Sequence, residues 1–371
     1  MTFSVLWSPK KVELRREFGV TSFRDEKTPY VLFFFREIGY DVVETLNASA
    51  RNFSDLANGG NMKTRKNHIP IFTSVTNENL PYLMVTLKSV SEHLGDDWVA
   101  DVRVLTAGLA VYNMRKLRHA HIDNVEITVI DVNSKVEDYR ADFEERLGYF
   151  LKEESFYPFF IADVYTRLAR ALYIECGTLV RDSIEKLYHV DLGCGFIGGL
   201  KRTDGIDASF DTYRSTWVGV NPNVYIDTSV MLMNFSAFRK YRIGSRFARL
   251  LMGYNFDTVS AASDYMNFLC KGHVSVLNDV WQRDDGSEGI VSFSPYRRPW
   301  HYVNEPYADE FWDTARRTPF YDDVRNAYFE FNDEKKAKEE RALEEILLRA
   351  EKLSKSPDGF YHVLGENYLI E

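Results

Sequence analysis

The residues of this sequence that could do chemistry are a carboxylate at the end of an apolar run and a later pair of arginines. Glu175 follows the apolar residues 171–174, a pattern typical of a strand buried on both faces of a parallel sheet. Ligand sites in open α/β sheets lie just beyond the carboxyl ends of such strands, so Glu175 could bind a cation or cap the strand end. Arg297 and Arg298 could grip phosphate oxygens, or they could form a solvated pair beside Trp300.

Alternating strands and helices are predicted to position these groups. Residues 69–75 form a first strand, and apolar side chains at helical spacing over residues 80–94 mark one face of the following helix. Residues 101–105 and 125–132 form the next two strands. Strands that alternate with helices imply parallel βαβ units with right-handed crossovers, so the sequence predicts an α/β fold.

The segment around Glu175 reads RALYIECGTLVRDSIEKLYHVD over residues 170–191. It resembles family 8 glycosyltransferases, which are retaining enzymes whose corresponding segment reads ALYLD-x-DTLV. The resemblance implies the GT-A nucleotide-diphospho-sugar transferase fold, a Rossmann-like mixed sheet with helices on both faces. In the family, the two aspartates hold a divalent metal, usually manganese, against the donor diphosphate. Here Glu175 and Gly177 stand at these positions, and Gly177 offers a cation no side-chain oxygen.

Two further blocks correspond to family segments that contact the donor. The family's uridine-binding loop, of the type A-D-D-N-Y, corresponds to a loop with Thr76 and Asn77 at the acidic positions, and both side chains can hydrogen-bond a base or ribose. The family's I-x-H-x-x-G-x-x-K-P-W corresponds to IVSFSPYRRPW, with Ser292 at the metal-binding histidine and Arg298 at the lysine that pairs with the diphosphate. The resemblance therefore gives these candidate donor-binding residues: Thr76, Asn77, Glu175 and Arg298.

Two more blocks correspond to segments that border the sugars. YIDTSVMLMN at residues 225–234 matches Y-F-N-x-G-V-L-L-x-N, with Asp227 at the usual asparagine. ASDYMN at residues 262–267 matches D-Q-D-x-L-N, in which Ala262 and Ser263 replace the first two residues whereas Asp264 and Asn267 persist. The resemblance makes Asp227 and Asp264 the candidate catalytic residues.

The differences from the family fall on polar contacts to metal, diphosphate and sugar, whereas the apolar scaffold positions match. The replaced positions are Pro158 (arginine in the family), Gly177, Ala262, Ser263 and Ser292. A retaining transfer must stabilise a departing diphosphate, and in the family the metal supplies most of that stabilisation. Glu175 is the one metal position that is still acidic, so no metal cofactor is expected here. Mn²⁺ would be expected only if the family site were intact.

Two functions follow from these observations. The first is a degenerate family 8 glycosyltransferase-like protein. It would bind a nucleotide sugar, or scaffold an active partner glycosyltransferase or a second copy of itself in glycan or surface-polysaccharide assembly. The alternative is an active retaining enzyme that transfers a hexose from a UDP-sugar without the usual metal, using cations such as Arg297 and Arg298 on the diphosphate.

The chain is predicted to have three regions: an N-terminal extension of unknown role at residues 1–67, the glycosyltransferase-like domain at 68–325 and a C-terminal helical tail at 326–371. In the extension, residues 28–46 could form a strand followed by a helix, or one helix throughout. In the tail, residues 333–356 have balanced charge and apolar residues at helical spacing, which predicts a helix that packs on its own domain or on a partner.

Composition excludes several classes of protein. The formal net charge of −9 argues against a nucleic-acid-binding surface, and no apolar run approaches membrane-spanning length. The three cysteines, Cys176, Cys194 and Cys270, lack metal-type spacing and are expected to be small buried residues of a reduced protein, which indicates a cytoplasmic location.

Local signals in the second half of the chain predict a loop, a helix and the two ends of a further helix. Residues 201–223 are predicted to form a loop and residues 235–252 one amphipathic helix. Ser263 is predicted to be the N-cap of the next helix and Gly272 to stop it.

Overall fold

A computed structural model describes residues 66–147, 149–150, 152–201, 205–281 and 286–365 of the protein, all within the unit Gly60–Glu371. The prediction for residues 28–46 and nearly all of the 1–67 extension lie outside the described residues. The strands are β1 (Asn67–Ser74), β2 (Trp98–Thr106), β3 (Val125–Asp131), β4 (Arg170–Ile174), β5 (Leu179–Val180), β6 (Ile197–Leu200), β7 (Asp227–Asn234), β8 (Val274–Val276) and β9 (Ile290–Val291).

The strands are connected mainly by α-helices, with a few tighter or wider helical turns. The α-helices are α1 (Leu80–Glu92), α2 (Val111–His119), α3 (Asn133–Val136), α4 (Arg140–Glu144), α5 (Pro158–Val164), α6 (Ile184–Tyr188), α7 (Gly205–Ala208), α8 (Asp211–Tyr213), α9 (Phe235–Tyr241), α10 (Ile243–Gly253), α11 (Ala261–Leu269), α12 (Ala308–Arg316), α13 (Tyr321–Glu330), α14 (Asp333–Ser354) and α15 (Phe360–Leu364). Turns of 3₁₀-helix lie at Glu137–Tyr139, Glu153–Phe156, Pro222–Val224 and Asn278–Trp281, and a π-helical turn lies at Arg214–Val218.

Seven strands form one mixed sheet in the order β3-β2-β1-β4-β7-β6-β8. The first four of these run parallel, as the alternation of strands and helices predicts, whereas β7 lies antiparallel between β4 and β6. The side chains of β4 alternate between two hydrophobic cores, with Ala171 and Tyr173 in one and Leu172 and Ile174 in the other. The α/β fold with a Rossmann-like mixed sheet and helices on both faces is therefore confirmed.

Several local predictions are wrong, and burial or backbone geometry explains them. Residues 235–252 form two helices, α9 and α10, because Arg242 adopts a left-handed conformation with φ 53°. Residues 201–223 include α7, α8 and the π-helical turn, whose Tyr213 and Trp217 are buried in the core. Cys194 is exposed, whereas Cys176 and Cys270 are buried.

The prediction for the start of α11 is also wrong. The N-cap position is Ser260, so Ser263 lies inside the first turn of the helix, where its Oγ lies 2.9 Å from Oγ1 of Thr228. The helix ends at Leu269, three residues before Gly272. A serine with a tertiary partner is satisfied without capping, which sequence spacing does not reveal.

The helix predicted in the tail is confirmed as α14, and it packs on its own domain. Ala350 and Leu353 are buried in the same core as Tyr213 and Trp217. The division of the chain at residues 67/68 and 325/326 stays a prediction, and α13 runs across the second of these boundaries. None of the helices in the described part of the chain is long and apolar enough to cross a membrane.

Candidate functional site

A cavity of about 210 Å³ lies at the edge of the sheet where β4 ends and β7 begins. Glu175 comes directly after β4, and Asp227 is the first residue of β7. Because these two strands are antiparallel, the end of one and the start of the other meet at the same edge. The start of α11, the loop that carries Arg298 and one face of α14 complete the lining. The structure thus brings four of the sequence-predicted site residues to one cavity: Glu175, Asp227, Asp264 and Arg298.

Glu175 and Arg298 form an ion pair in this cavity. The guanidinium Nη2 of Arg298 lies 3.5 Å from Oε1 of Glu175, and the guanidinium carbon lies 5.4 Å from the centre of the Trp300 ring. Arg297 instead pairs with Glu305 at 3.3 Å, and its side chain is 56% exposed against 19% for Arg298. The two arginines therefore do not form a solvated pair. Of these two arginines, Arg298 lines the cavity and Arg297 does not.

Gly177 is held in a conformation that leaves no room for a side chain. Its φ is +88°, in the region that L side chains rarely adopt, and a Cβ at this residue would lie 2.5 and 2.6 Å from Cζ3 and Cη2 of Trp300. Trp300 is itself buried and stacks on Tyr82 with ring centres 3.8 Å apart. The space that a metal-binding aspartate would need at residue 177 is filled by the tryptophan ring.

The residues at the family's metal positions do not fit a divalent cation. Glu175 is paired with Arg298, Gly177 has no side-chain ligand atom, and the hydroxyl of Ser292 donates to Oδ2 of Asp227 at 2.8 Å. A hard cation needs several oxygen ligands, and a guanidinium beside the one remaining carboxylate repels it. Among the described residues, no three histidine, cysteine, aspartate or glutamate side chains are grouped so that they could hold a metal ion.

Asp227 is fixed by the strand that begins with it. Its Oδ1 accepts hydrogen bonds from the backbone N–H and the hydroxyl of Ser229, at 3.1 and 2.9 Å. Its Oδ2 accepts the hydrogen bond from Ser292. The carboxylate is half-buried at the cavity wall, so one side of it is open to a ligand while both oxygens already have partners.

Asp264 is fully buried behind the same wall. Its two oxygens accept hydrogen bonds from the hydroxyls of Tyr225 and Tyr213, at 2.7 and 2.8 Å, and from the backbone N–H of Ser260 at 2.9 Å. Burial raises the pKa of Asp264 to about 6, although these hydrogen bonds oppose the shift. The adjacent amide of Asn267 bonds both the N–H and the carbonyl of Ile226. Asp264 and Asn267 together anchor α11 to the segment that leads into Asp227.

Thr76 and Asn77 lie outside the cavity lining, in the loop after β1. The side-chain oxygen of Asn77 accepts hydrogen bonds from the backbone N–H of Ala110 and the side chain of Asn113, at 2.7 and 2.9 Å. The Thr76 N–H donates to Oδ1 of Asn79 at 2.7 Å. The uridine-binding role of Thr76 and Asn77 stays a prediction.

Glu154 is a candidate residue that the sequence analysis missed. It lies in the 3₁₀ turn beside the cavity-lining Ser155, and its Oε1 accepts a hydrogen bond from Nδ2 of Asn79 at 3.1 Å. Burial, with the nearby Glu175 carboxylate as a smaller cause, raises the pKa of Glu154 to about 7. Through Asn79, this carboxyl connects the Thr76 loop to the cavity. No spacing in the sequence indicates the contact, because residues 79 and 154 are 75 positions apart.

Comparisons with known proteins agree with this architecture. The sequence model of glycosyl transferase family 8 matches residues 70–283, which is more than half of the chain. A candidate glycosyltransferase of Haemophilus influenzae is 24% identical over 112 residues, and the match covers 30% of this chain and 33% of that protein. The chain thus aligns with about a third of the length of this curated relative.

Two solved structures share the fold. The bifunctional glycosyltransferase WbbM, in its apo form, matches with a TM-score of 0.58 and 16% identity over 73% of this chain and 54% of its own. The galactosyltransferase LgtC, in complex with donor and acceptor sugar analogs, matches with a TM-score of 0.50 and 18% identity over 68% of this chain and 96% of its own. At these identities the likeness concerns the fold.

Proposed function

The chain belongs to glycosyl transferase family 8, and we propose that it is a degenerate member that binds a nucleotide sugar without a divalent metal. The observation that carries this proposal is the contact between Gly177 and Trp300. A metal-binding aspartate at residue 177 would need space for its side chain, but the buried Trp300 ring, which stacks on Tyr82, occupies that space. Residue 177 therefore has no space for a second metal-binding carboxylate in this chain, which supports binding without a metal.

Arg298 is the residue proposed to hold the diphosphate. It lines the cavity, it is only 19% exposed, and its partner Glu175 can be displaced by an oxyanion because the ion pair is loose at 3.5 Å. A guanidinium binds two phosphate oxygens through its planar fork, which a lysine ammonium does not do. A protein cation supplied in this way would replace part of the charge that a metal contributes in the family.

Thr76 and Asn77 are proposed to contact the nucleoside, and Asp227 the sugar. The fold shared with LgtC supports a sugar-binding role for the cavity, since that galactosyltransferase has been crystallised with donor and acceptor sugar analogs. Aromatic side chains at the cavity, among them Tyr149 and Tyr296, offer faces against which a sugar ring packs.

The hydrogen bonds at this site do not favour glycosyl transfer. Both oxygens of Asp227 and both of Asp264 already accept hydrogen bonds from the protein. An acidic side chain committed to such partners is a weak nucleophile, because attack requires it to give up these hydrogen bonds. We therefore propose a pseudoenzyme, which binds a nucleotide sugar or scaffolds an active glycosyltransferase in cytoplasmic glycan or surface-polysaccharide assembly. The scaffold partner would be that active glycosyltransferase or a second copy of this chain.

One observation favours the alternative, an active hexosyltransferase that dispenses with the metal. Arg298 places a cation in the cavity, and a cation aimed at a leaving diphosphate is the largest single contribution to this type of catalysis. Such an enzyme would use Asp227 and Asp264 as its catalytic carboxylates.

The test combines a binding and a turnover measurement on the same preparation. UDP-glucose and UDP-galactose are titrated calorimetrically in the presence of EDTA, and release of free hexose from each is followed over a day. The proposal expects saturable binding in the micromolar to millimolar range with no release above the rate without protein. Release that is abolished by Asp227→Asn would establish the alternative. Absence of binding at millimolar concentration of both donors and of UDP would refute nucleotide-sugar binding and leave scaffolding alone.

A further inference from the structure

Helix α14 contributes a wall to the cavity although it lies beyond the part of the chain that matches the family, which ends at residue 283. Four of its residues line the cavity: Ala342, Glu345, Ile346 and Arg349. They are spaced at i, i+3, i+4 and i+7, so they form one face of the helix. We call these four residues the α14 face.

The α14 face is held in place by contacts on both sides of it. Before it, the buried Glu339 accepts a hydrogen bond from the hydroxyl of Tyr302 at 2.8 Å. After it, the hydroxyl of Thr216 donates to the carbonyl of Ser354 at 3.0 Å, and Leu353 is buried in the core. The helix is thus fixed at two points about four turns apart, since residues 339 and 354 are 15 positions apart at 3.6 residues per turn.

The segment that follows α14 adds a third attachment. Phe360 is fully buried and stacks on Phe256 with ring centres 4.2 Å apart. At the rim of the cavity, Nη1 of Arg349 lies 3.4 Å from the carbonyl of Thr258 and 3.6 Å from a carboxylate oxygen of Asp257. A wall with this many attachments is already formed before a ligand enters, which is what selection by shape requires.

The α14 face shares its cavity with Arg298 and Asp227, whereas Thr76 and Asn77 lie outside it. If Arg298 holds the diphosphate and the nucleoside lies toward Thr76 and Asn77, the glycosyl group is the part of the ligand that enters the cavity. The wall that this group meets includes the apolar Ile346, which packs against the core, and the exposed carboxylate of Glu345. An apolar wall limits size, and a carboxylate accepts hydrogen bonds from sugar hydroxyls.

We propose that the α14 face determines which glycosyl group the cavity accepts, with Ile346 limiting its size and Glu345 accepting hydrogen bonds from its hydroxyls. This inference rests on the proposed function, because it concerns the sugar of a bound nucleotide sugar. It adds a specificity-determining segment that comes from outside the matched family region.

The experiment compares ligands that share UDP and differ in the sugar. Affinities for UDP, UDP-xylose, UDP-glucose and UDP-N-acetylglucosamine are measured for the parent, Ile346→Ala and Ile346→Phe. The alanine variant is expected to improve binding of UDP-N-acetylglucosamine relative to UDP-glucose by about tenfold, the effect of a few methylenes in an apolar pocket. The phenylalanine variant is expected to shift preference toward the smaller UDP-xylose. Affinity for UDP itself should change by less than about twofold, because UDP has no sugar.

Two further variants keep the test decisive. Leu348→Ala is the matched control, since Leu348 is an apolar residue of the same helix that is 66% exposed and does not line the cavity. It should leave every affinity unchanged. Glu345→Ala removes an exposed side chain, so folding is not at risk, and it should weaken UDP-glucose about threefold to tenfold without affecting UDP.

The outcomes separate this inference from the proposed function. If the parent binds UDP but the ratios among the sugars stay the same in all variants, or if UDP and the UDP-sugars weaken by equal factors, the α14 face does not select the sugar. If the parent binds neither UDP nor any UDP-sugar, nucleotide-sugar binding itself is refuted, and the inference falls with it.

Discussion

The contact between Gly177 and Trp300 predicts that residue 177 cannot carry even a methyl group without cost. In Gly177→Ala, the backbone must keep a left-handed φ with an L side chain, which costs about 1 to 2 kcal/mol. The new Cβ also meets the Trp300 ring at 2.5 Å, and overpacking of a buried contact costs about 1 to 3 kcal/mol. The free energy of unfolding, measured by urea denaturation, should therefore fall by about 2 to 5 kcal/mol.

Two other glycines separate these contributions. Gly272 has a φ of +80° and no atom within 4 Å of a built Cβ, so Gly272→Ala should show the backbone cost alone. Gly253 has neither restriction, so Gly253→Ala should be neutral or slightly stabilising. The difference between Gly177→Ala and Gly272→Ala measures the packing cost against Trp300.

A double-mutant cycle with Trp300→Leu tests the cause. Replacing the ring by leucine removes the atoms that clash, so Gly177→Ala should lower the free energy of unfolding by about 1 to 3 kcal/mol less in the Trp300→Leu background. If Gly177→Ala is no more destabilising than Gly272→Ala, or if the cycle shows no coupling, the ring does not exclude a side chain at residue 177. Residue 177 could then carry a metal-binding side chain, which would contradict the proposed exclusion of the metal.

Two further predictions concern charged groups at the site. Arg298→Ala should weaken UDP binding by about 1.5 to 3 kcal/mol, the range for a charge-assisted hydrogen bond. The neighbouring Arg297→Ala should leave UDP binding unchanged, and uridine should bind Arg298→Ala and the parent alike. Equal losses of UDP affinity in both variants would contradict a specific role for Arg298. The pKa of Glu154 rises from 4.5 to about 7 on folding, so the parent protein loses stability as pH rises between these values, by about 1 to 3 kcal/mol. Glu154→Gln lacks this titration and should therefore become more stable relative to the parent as pH rises. Urea denaturation of both proteins at pH 5 and pH 8 measures this, and an unchanged difference between the two pH values would show that Glu154 does not titrate in this way.

The strands around the site could be predicted because their signals are local. Residues 69–75, 101–105 and 125–132 are short segments rich in valine, isoleucine and leucine, and each corresponds to a strand of the sheet within a few residues. The position of Glu175 at the edge of the sheet followed from the run that precedes it. Burial on both faces of β4 explains why that run is continuous instead of alternating.

The contacts that give the site its character could not be predicted, because they join distant residues. Nothing near Gly177 in the sequence indicates that Trp300 fills its side-chain space, and nothing near Asn79 indicates Glu154. The apolar spacing of residues 333–356 predicts a helix that packs on its own domain or on a partner, and Ala350 and Leu353 are buried in the core of its own domain. The same periodicity does not distinguish a residue that packs in the core from one, such as Ile346, that also lines a cavity.

Break points and caps were missed for a related reason. The apolar periodicity of residues 235–252 continues through Arg242, yet the backbone turns there with a positive φ. Ser263 has the composition of an N-cap, but its hydroxyl is used by Thr228 across the cavity wall. Tertiary packing decides such positions, and local propensity is a weak guide to them.

The most direct test of the central claim is the affinity for UDP with and without manganese. Calorimetric titration of UDP is performed once in EDTA and once with millimolar Mn²⁺, using the same preparation of the full chain. Binding that relies on Arg298 and on no metal predicts dissociation constants that agree within about threefold. A tenfold or greater tightening by Mn²⁺, equivalent to about 1.4 kcal/mol, would contradict the account and show that the cavity still holds a divalent cation.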